Sequence, residues 1–117
     1  MTETQQMIVN RLIDLPSEIA EEELLLARMT ARREEAKAAL ETAEATLLTA
    51  AGAEGFPVVN GRNAEQRTAQ VWNLTAEERN TLYRLQDAER QGAVRFHRLT
   101  NELAALRACA RLLGTGD

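Results

Sequence analysis

Apolar residues recur with a seven-residue period through the first half of the chain, and this feature excludes most folds. With Gln5 at position a, the a series is Gln5, Leu12, Ile19, Leu26, Arg33, Leu40 and Leu47. The d series is Ile8, Leu15, Glu22, Met29, Ala36, Ala43 and Ala50, so eleven of the fourteen positions are apolar. A half-buried strand alternates with period two, whereas a sustained three-four spacing requires a helix with one buried stripe. The phase holds across Pro16, although proline lacks an amide donor and crowds the preceding turn. The spacing admits a kink there or a fresh start with Pro16 in the first turn, which would leave the first dozen residues as a separate helix.

A second stripe runs through the other half. Thr68, Thr75, Leu82, Glu89, Phe96, Leu103 and Ala110 fall at a; Ala64, Val71, Glu78, Leu85, Gly92, Leu99, Leu106 and Leu113 fall at d. The pattern predicts helix 1 over about 4–51, a tip over 52–62 and helix 2 over about 63–113, in one domain of 117 residues. Two start signals compete in helix 2: Asn63 with Gln66, and Thr75 with Glu78, each with the spacing of a capping box. One continuous helix from Asn63 is the first expectation, and a break near Asn73-Leu74 the alternative. Gly114 suits a helix C-cap. In the tip, Phe56-Pro57-Val58-Val59 ends at the turn dipeptide Asn60-Gly61, which fits either a small hairpin capping the helices or a tip offered to a partner.

Two long amphipathic helices joined by a short connection fold back on each other. The expected fold is all-α: a long antiparallel helical hairpin, a coiled coil that assembles into a helical bundle. Composition agrees, because Leu and Ala carry the apolar content and only Phe56, Trp72, Tyr83 and Phe96 are aromatic. Facing a against d, the preferred register pairs residues whose numbers sum to 111. It sets Leu26 on Leu85 and Arg33 on Glu78, but it also confronts Glu22 with Glu89. A slip of one heptad separates those two acids and leaves Arg33 facing Leu85.

One hairpin buries one stripe. Leu24, Leu25, Leu48, Trp72, Tyr83 and Val94 fall off it, and exposed apolar surface of that extent marks an interaction site. Leu24, Leu25, Phe56, Val58, Val59, Trp72 and Tyr83 are the candidate partner contacts. The expected partners are another copy of the chain, as a dimer or tetramer, and a further protein.

The net charge is −4, unevenly spread. Residues 1–57 hold 11 acids and 5 bases, a balance of −6, and residues 58–117 hold 7 acids and 9 bases, a balance of +2. An acidic helix lying on a more basic one accounts for this split. Within the last helix, Arg90, Arg95, Arg98, Arg107 and Arg111, with His97, are opposed between residues 90 and 111 only by Glu102. They form a candidate face for nucleic acid or an acidic partner, unless the acids from Glu18 to Glu23 neutralise them.

The residues that carry chemistry are sparse. His97 and Cys109 are the only histidine and thiol; they stand roughly 18 Å apart along a helix, too far to act as base and nucleophile. The expectation is a surface histidine and a small packed cysteine. No Glu-x-x-His pair of a bundle metal site is present, and Gly52, Gly55 and Gly61 lack the spacing of a phosphate loop. Catalytic, metal and cofactor residues are therefore none, and the chain is read as a non-enzyme. No apolar run approaches the ~20 residues of a membrane span, and the start lacks the basic-then-apolar pattern of a signal peptide. These features predict a cytoplasmic protein without a membrane partner.

The segment Asn60-Gly61-Arg62-Asn63-Ala64-Glu65-Gln66-Arg67 resembles the Asp/Asn-Gly-Lys/Arg-Asn-Ala-Glu-x-Arg turn of small helical-hairpin accessory proteins of tailed phages and prophages. The Arg/Leu/Ala-rich stretch Leu103 to Leu113 is similar to the end of their second helix, and the likeness covers Asn60 to Leu113. The resemblance implies a phage accessory role, in recombination, replication or the blocking of a host system, within the host cytoplasm. It carries over no catalytic residue. A nucleic-acid-binding accessory protein and a virion structural or assembly chaperone are the other two expectations.

Overall fold

A computed structural model describes residues 1–52, 55 and 57–114. The chain is all-α, with three helices among the described residues: α1 (Glu3–Thr49), α2 (Ala64–Leu74) and α3 (Ala76–Gly114). The long helices form the antiparallel hairpin that the two stripes predict. They divide into two units: Met1–Met29 with Glu89–Asp117, and Thr30–Ala88.

α1 opens with a capping box one residue earlier than the apolar pattern. Thr2 Oγ1 accepts from Gln5 N at 3.1 Å, and Gln5 Oε1 accepts from Thr2 N at 2.9 Å. The helix then runs through Pro16 with no new start. Proline interrupts the ladder there, but Leu15 beside it is fully buried. Tertiary packing of Leu15 against the seam overrides the local penalty. Every a and d position from Gln5 to Met29 is buried or partly buried, Gln5 and Glu22 included.

In this first unit the register departs from the expected one. A Cβ built on Gly92 would stand 3.0 Å from Met29 Sδ and 3.4 Å from Leu26 Cδ1. Leu26 therefore packs at Gly92, one heptad beyond Leu85. The physical reason is twofold. Gly92 has no side chain, so two large residues of α1 fill its place. The slip also gives Glu22 an arginine, with Arg95 Nε 3.5 Å from Glu22 Oε2, where the expected register gave it a like charge.

In the second unit Ala36 and Leu82 are core residues, and all positions of the first stripe from Arg33 to Ala50 are again covered. The expected single helix 2 is two helices, the break falling at Thr75 (φ −107°, ψ 17°). Thr75 with Glu78 does not act as a capping box. The Thr75 hydroxyl donates back to Val71 O at 2.7 Å, and Arg79 Nη2 donates to Trp72 O at 2.6 Å and to Thr75 Oγ1 at 2.7 Å. Side chains thus take over a carbonyl that the helix ladder would otherwise use. The heptad phase survives the break, since Val71, Thr75, Glu78, Leu82 and Leu85 all remain covered.

The tip is fastened at both ends. Gly55 N donates to Gly52 O at 3.2 Å, and Gly55 adopts φ +80°. Ala51 and Pro57 form an isolated antiparallel bridge, and Val58 N donates to Ala50 O at 3.1 Å. The antiparallel bridge of Ala51 with Pro57 thus comes ahead of Asn60-Gly61, the dipeptide expected to turn the chain. That dipeptide is tied to α2 instead: Asn60 N and Gly61 N donate to Gln70 Oε1 at 3.0 and 2.7 Å. Arg67 Nη1 donates to Gly61 O at 3.1 Å, and Asn63 caps α2 by accepting from Gln66 N at 2.9 Å. Gln66 does not complete the box on Asn63; its Oε1 accepts from Arg62 N at 2.8 Å. A Cβ on Gly61 would meet Arg67 N and Gln66 Cβ at 2.7 Å, so only glycine fits this approach of turn to helix.

Candidate functional site

The six apolar residues placed off the seam by the heptad are all exposed: Leu24, Leu25, Leu48, Trp72, Tyr83 and Val94. Of the expected partner contacts in the tip, Val58 is half-buried and Phe56 lies outside the described residues. Val59 is only 8% exposed, so it belongs to the core and offers no contact. The alternation of a bridged segment explains this: Val58 pairs its backbone with Ala50, and Val59 turns inward. Sequence reasoning missed Met7, Ile13, Leu74 and Leu112, each more than half exposed. Reading outer heptad positions as strictly as inner ones would have found them.

Three apolar surfaces result. In the first unit, Met1, Ile8, Leu12, Ala110 and Leu113 line an open cleft of about 430 Å³. In the second, Leu48, Val71 and Trp72 line another of about 380 Å³, with Glu44 and Arg67 at its rim. Tyr83, with Glu77, Asn80 and Arg84, lines a third and flatter hollow on α3.

Trp72 is the most elaborated of the exposed side chains. The Arg79 guanidinium carbon lies 3.3 Å from its ring centroid, and Arg79 is only 6% exposed while Trp72 is 56% exposed. Charge over the π-face and the two hydrogen bonds at Trp72 O and Thr75 Oγ1 compensate the burial of this cation. The indole is thereby held in a fixed orientation on the surface. Nearby, in a shallow hollow with Ala36, Ala39 and Thr81, Glu78 Oε2 is buried and meets no donor among the described residues.

Arg90, Arg95, Arg98, Arg107 and Arg111 are all exposed, but they do not share one face. At about 100° per residue, Arg95 and Arg98 lie on one flank of the seam, and Arg107 and Arg111 on the other. Arg95 is drawn to Glu22, the neutralisation expected of the acidic stretch. A stronger pair stands beside it. Arg11 donates from Nε and Nη2 to the two Glu102 oxygens at 2.5 and 3.0 Å, and Arg11 Nη1 lies 2.6 Å from Glu18 Oε2. The forked hydrogen bond from Arg11 holds the Glu102 carboxyl below the usual range, and Glu102 in turn raises the Arg11 guanidinium above its ordinary value. Glu102 is thus occupied by α1 and does not offset the arginines of its own helix.

His97 is exposed, and its ring stands edge-on to that of its neighbour Phe96, ring centroids 5.9 Å apart. Cys109 is exposed, not packed as expected, because it falls one position outside the seam at Ala110. Among the described residues no group of three or more His, Cys, Asp or Glu could hold a metal ion. No described helix is long and apolar enough to cross a membrane. The chain matches no family model, no curated protein and no solved structure.

Proposed function

We propose that this chain is a non-catalytic interaction protein that works through protein–protein contacts made by the outside of a helical hairpin. One observation carries the reading: Leu24, Leu25, Leu48, Trp72, Tyr83 and Val94 stand between 40 and 64% exposed on helices whose inner stripe is already used. Burying such a side chain is worth about 1.5–3 kcal/mol, so a partner that covers several gains appreciable affinity. The fixing of Trp72 by Arg79 adds to this, because an anchor held in place loses little freedom on binding. The phage accessory role, in DNA recombination or replication or in blocking a host system, is what the resemblance of Asn60 to Leu113 implies, and it is part of the proposal. Self-association as a dimer or tetramer in the host cytoplasm belongs to it as well.

Solution mass by light scattering tests this reading, with and without a short single-stranded oligonucleotide at low and high salt. The expected result is a mass above the 13.0 kDa of one chain that ignores the oligonucleotide. A salt-sensitive complex abolished by Arg95→Glu with Arg98→Glu would overturn it in favour of nucleic-acid binding.

A further inference from the structure

One face of α3 in the second unit carries its charges in an order that a twofold axis makes complementary. Glu77, Asn80, Tyr83 and Arg84 line one hollow and occupy about 120° of the helix circumference. All four are exposed, Tyr83 at 51%. Glu77 and Arg84 stand two turns apart, roughly 10 Å along the helix, whereas ion pairs on one helix join residues three or four apart. No base meets Glu77 among the described residues. Arg84 Nη2 donates to Thr81 Oγ1 at 3.3 Å, beyond the usual length of such a bond. The side chains of Asn80 and Tyr83 likewise have no partner among the described residues.

The form of this hollow points to another helix. A small molecule is held by a concave, mostly apolar pocket, but this hollow is flat, polar and built on a single helix. A second α3 laid antiparallel across the first reverses the order of the residues. Its Arg84 then meets Glu77, and its Glu77 meets Arg84. The midpoint between Glu77 and Arg84 and that between Asn80 and Tyr83 lie one residue apart, about 1.5 Å along the helix. One axis therefore also sets Tyr83 of each copy against Asn80 of the other, and phenol and carboxamide each carry a donor and an acceptor. Helices that cross need touch over only two turns, which keeps the contact within the second unit. A parallel copy in the same register would put like charges together.

We infer that the Tyr83 face of α3 is the contact through which two copies of this chain pair about a twofold axis. The inference rests on the reading of the chain as an interaction protein and names one partner and its contact. The occupant is argued from charge complementarity: an acid, two uncharged polar side chains and a base in this order match their own reverse. The contact is isologous, so the Glu77–Arg84 and Asn80–Tyr83 pairings each occur twice. Contacts of so few residues are weak, and pairing is expected in the micromolar to millimolar range.

Charge reversal, read by sedimentation equilibrium at low salt, tests this. The wild type should approach a two-chain mass with rising concentration. Glu77→Arg brings four arginines into the contact and Arg84→Glu four acids, so each variant alone should pair about tenfold more weakly. An equal mixture of the two should regain wild-type pairing, and so should Glu77→Arg with Arg84→Glu on one chain. Rescue within one chain is the mark of a twofold contact, because a heterologous one would lose both of its partners. The sites are exposed, so circular dichroism should show full helicity for each variant. If Glu77→Arg fails to fold, Asn80→Cys with Cys109→Ser decides the matter. Asn80 lies beside the axis, so a short bismaleimide should join two copies there, and a failure to join them overturns the proposal. A double variant as weak as its parents, or a dimer indifferent to either reversal, overturns it while leaving protein contact as the function. A wild type that stays at one chain into the millimolar range overturns it together with self-association. Salt-dependent oligonucleotide binding would overturn the function itself.

Discussion

Packing around Gly92 makes the register of the first unit measurable. Replacing Gly92 by Leu adds a branched side chain where Met29 Sδ and Leu26 Cδ1 already stand 3.0 and 3.4 Å from the Cβ position. Overpacking of this kind costs about 1–3 kcal/mol, reduced by the roughly 1 kcal/mol that any better helix former gains over glycine. Leu26→Ala, at a partly buried site, should cost about 2 kcal/mol, the lower end for a leucine truncation. The two changes together exchange a large and a small residue across the seam, so the double variant should be more stable than the sum by about 1–2 kcal/mol. Urea unfolding followed by circular dichroism at 222 nm gives the four free energies, and equal m-values confirm that the same surface is exposed in each. In the register that sums to 111, Gly92 would face Ile19. A Leu26 coupling within about 0.5 kcal/mol of zero, accompanied by rescue from Ile19→Ala, would refute the packing described for this unit.

Three further outcomes follow from single sites. Pro16→Ala restores an amide to an unbroken helix and should raise stability by about 1–3 kcal/mol, read as a higher thermal midpoint. Gly61→Ala brings a methyl against the first turn of α2 and should lower stability by about 1–3 kcal/mol, with faster hydrogen exchange at Asn60 and Gly61, whose amides depend on Gln70. Glu102 has its carboxyl held low by Arg11, so its stabilising contribution is complete above the ordinary value of about 4.3 and fades as pH falls through the lower folded-state value. Unfolding curves between pH 6 and 2 should therefore show a loss at the acidic end that Glu102→Gln removes, and an unchanged profile in that variant would contradict the assignment.

Much of the fold was legible because the seam obeys a period that sequence displays directly: all fourteen a and d positions from Gln5 to Ala50 are covered. The choice between the preferred register and its one-heptad slip was not, because the slip found in the first unit depends on the absence of a side chain at Gly92. The like charges of Glu22 and Glu89 were the warning against the preferred register, and space for Leu26 and Met29 at Gly92 is what the slip uses. The break at Thr75 was visible only as a competing start signal, since its cause is a long-range reach from Arg79 to the Trp72 carbonyl. Asn63 announced its own cap, whereas Gln70, which closes the tip, sits ten residues from Asn60 in a pattern no short motif contains. Among the candidate contacts, outward-facing residues on helices were placed correctly by heptad position, and Val59, in irregular backbone with no period to read, was not.

The heptad phase that continues through Pro16 and across Thr75 also restricts how this chain can change in length. Within α1 or α3, an insertion of one or two residues would rotate everything beyond it by about 100–200° and carry the stripe out to solvent. Seven residues would restore the phase, yet would still shift each partner by a heptad unless the opposite helix grew to match. Length variation should therefore collect between Gly52 and Val58, ahead of the Asn60–Gln70 lock, where extra residues enlarge the tip and leave the pairing below it intact.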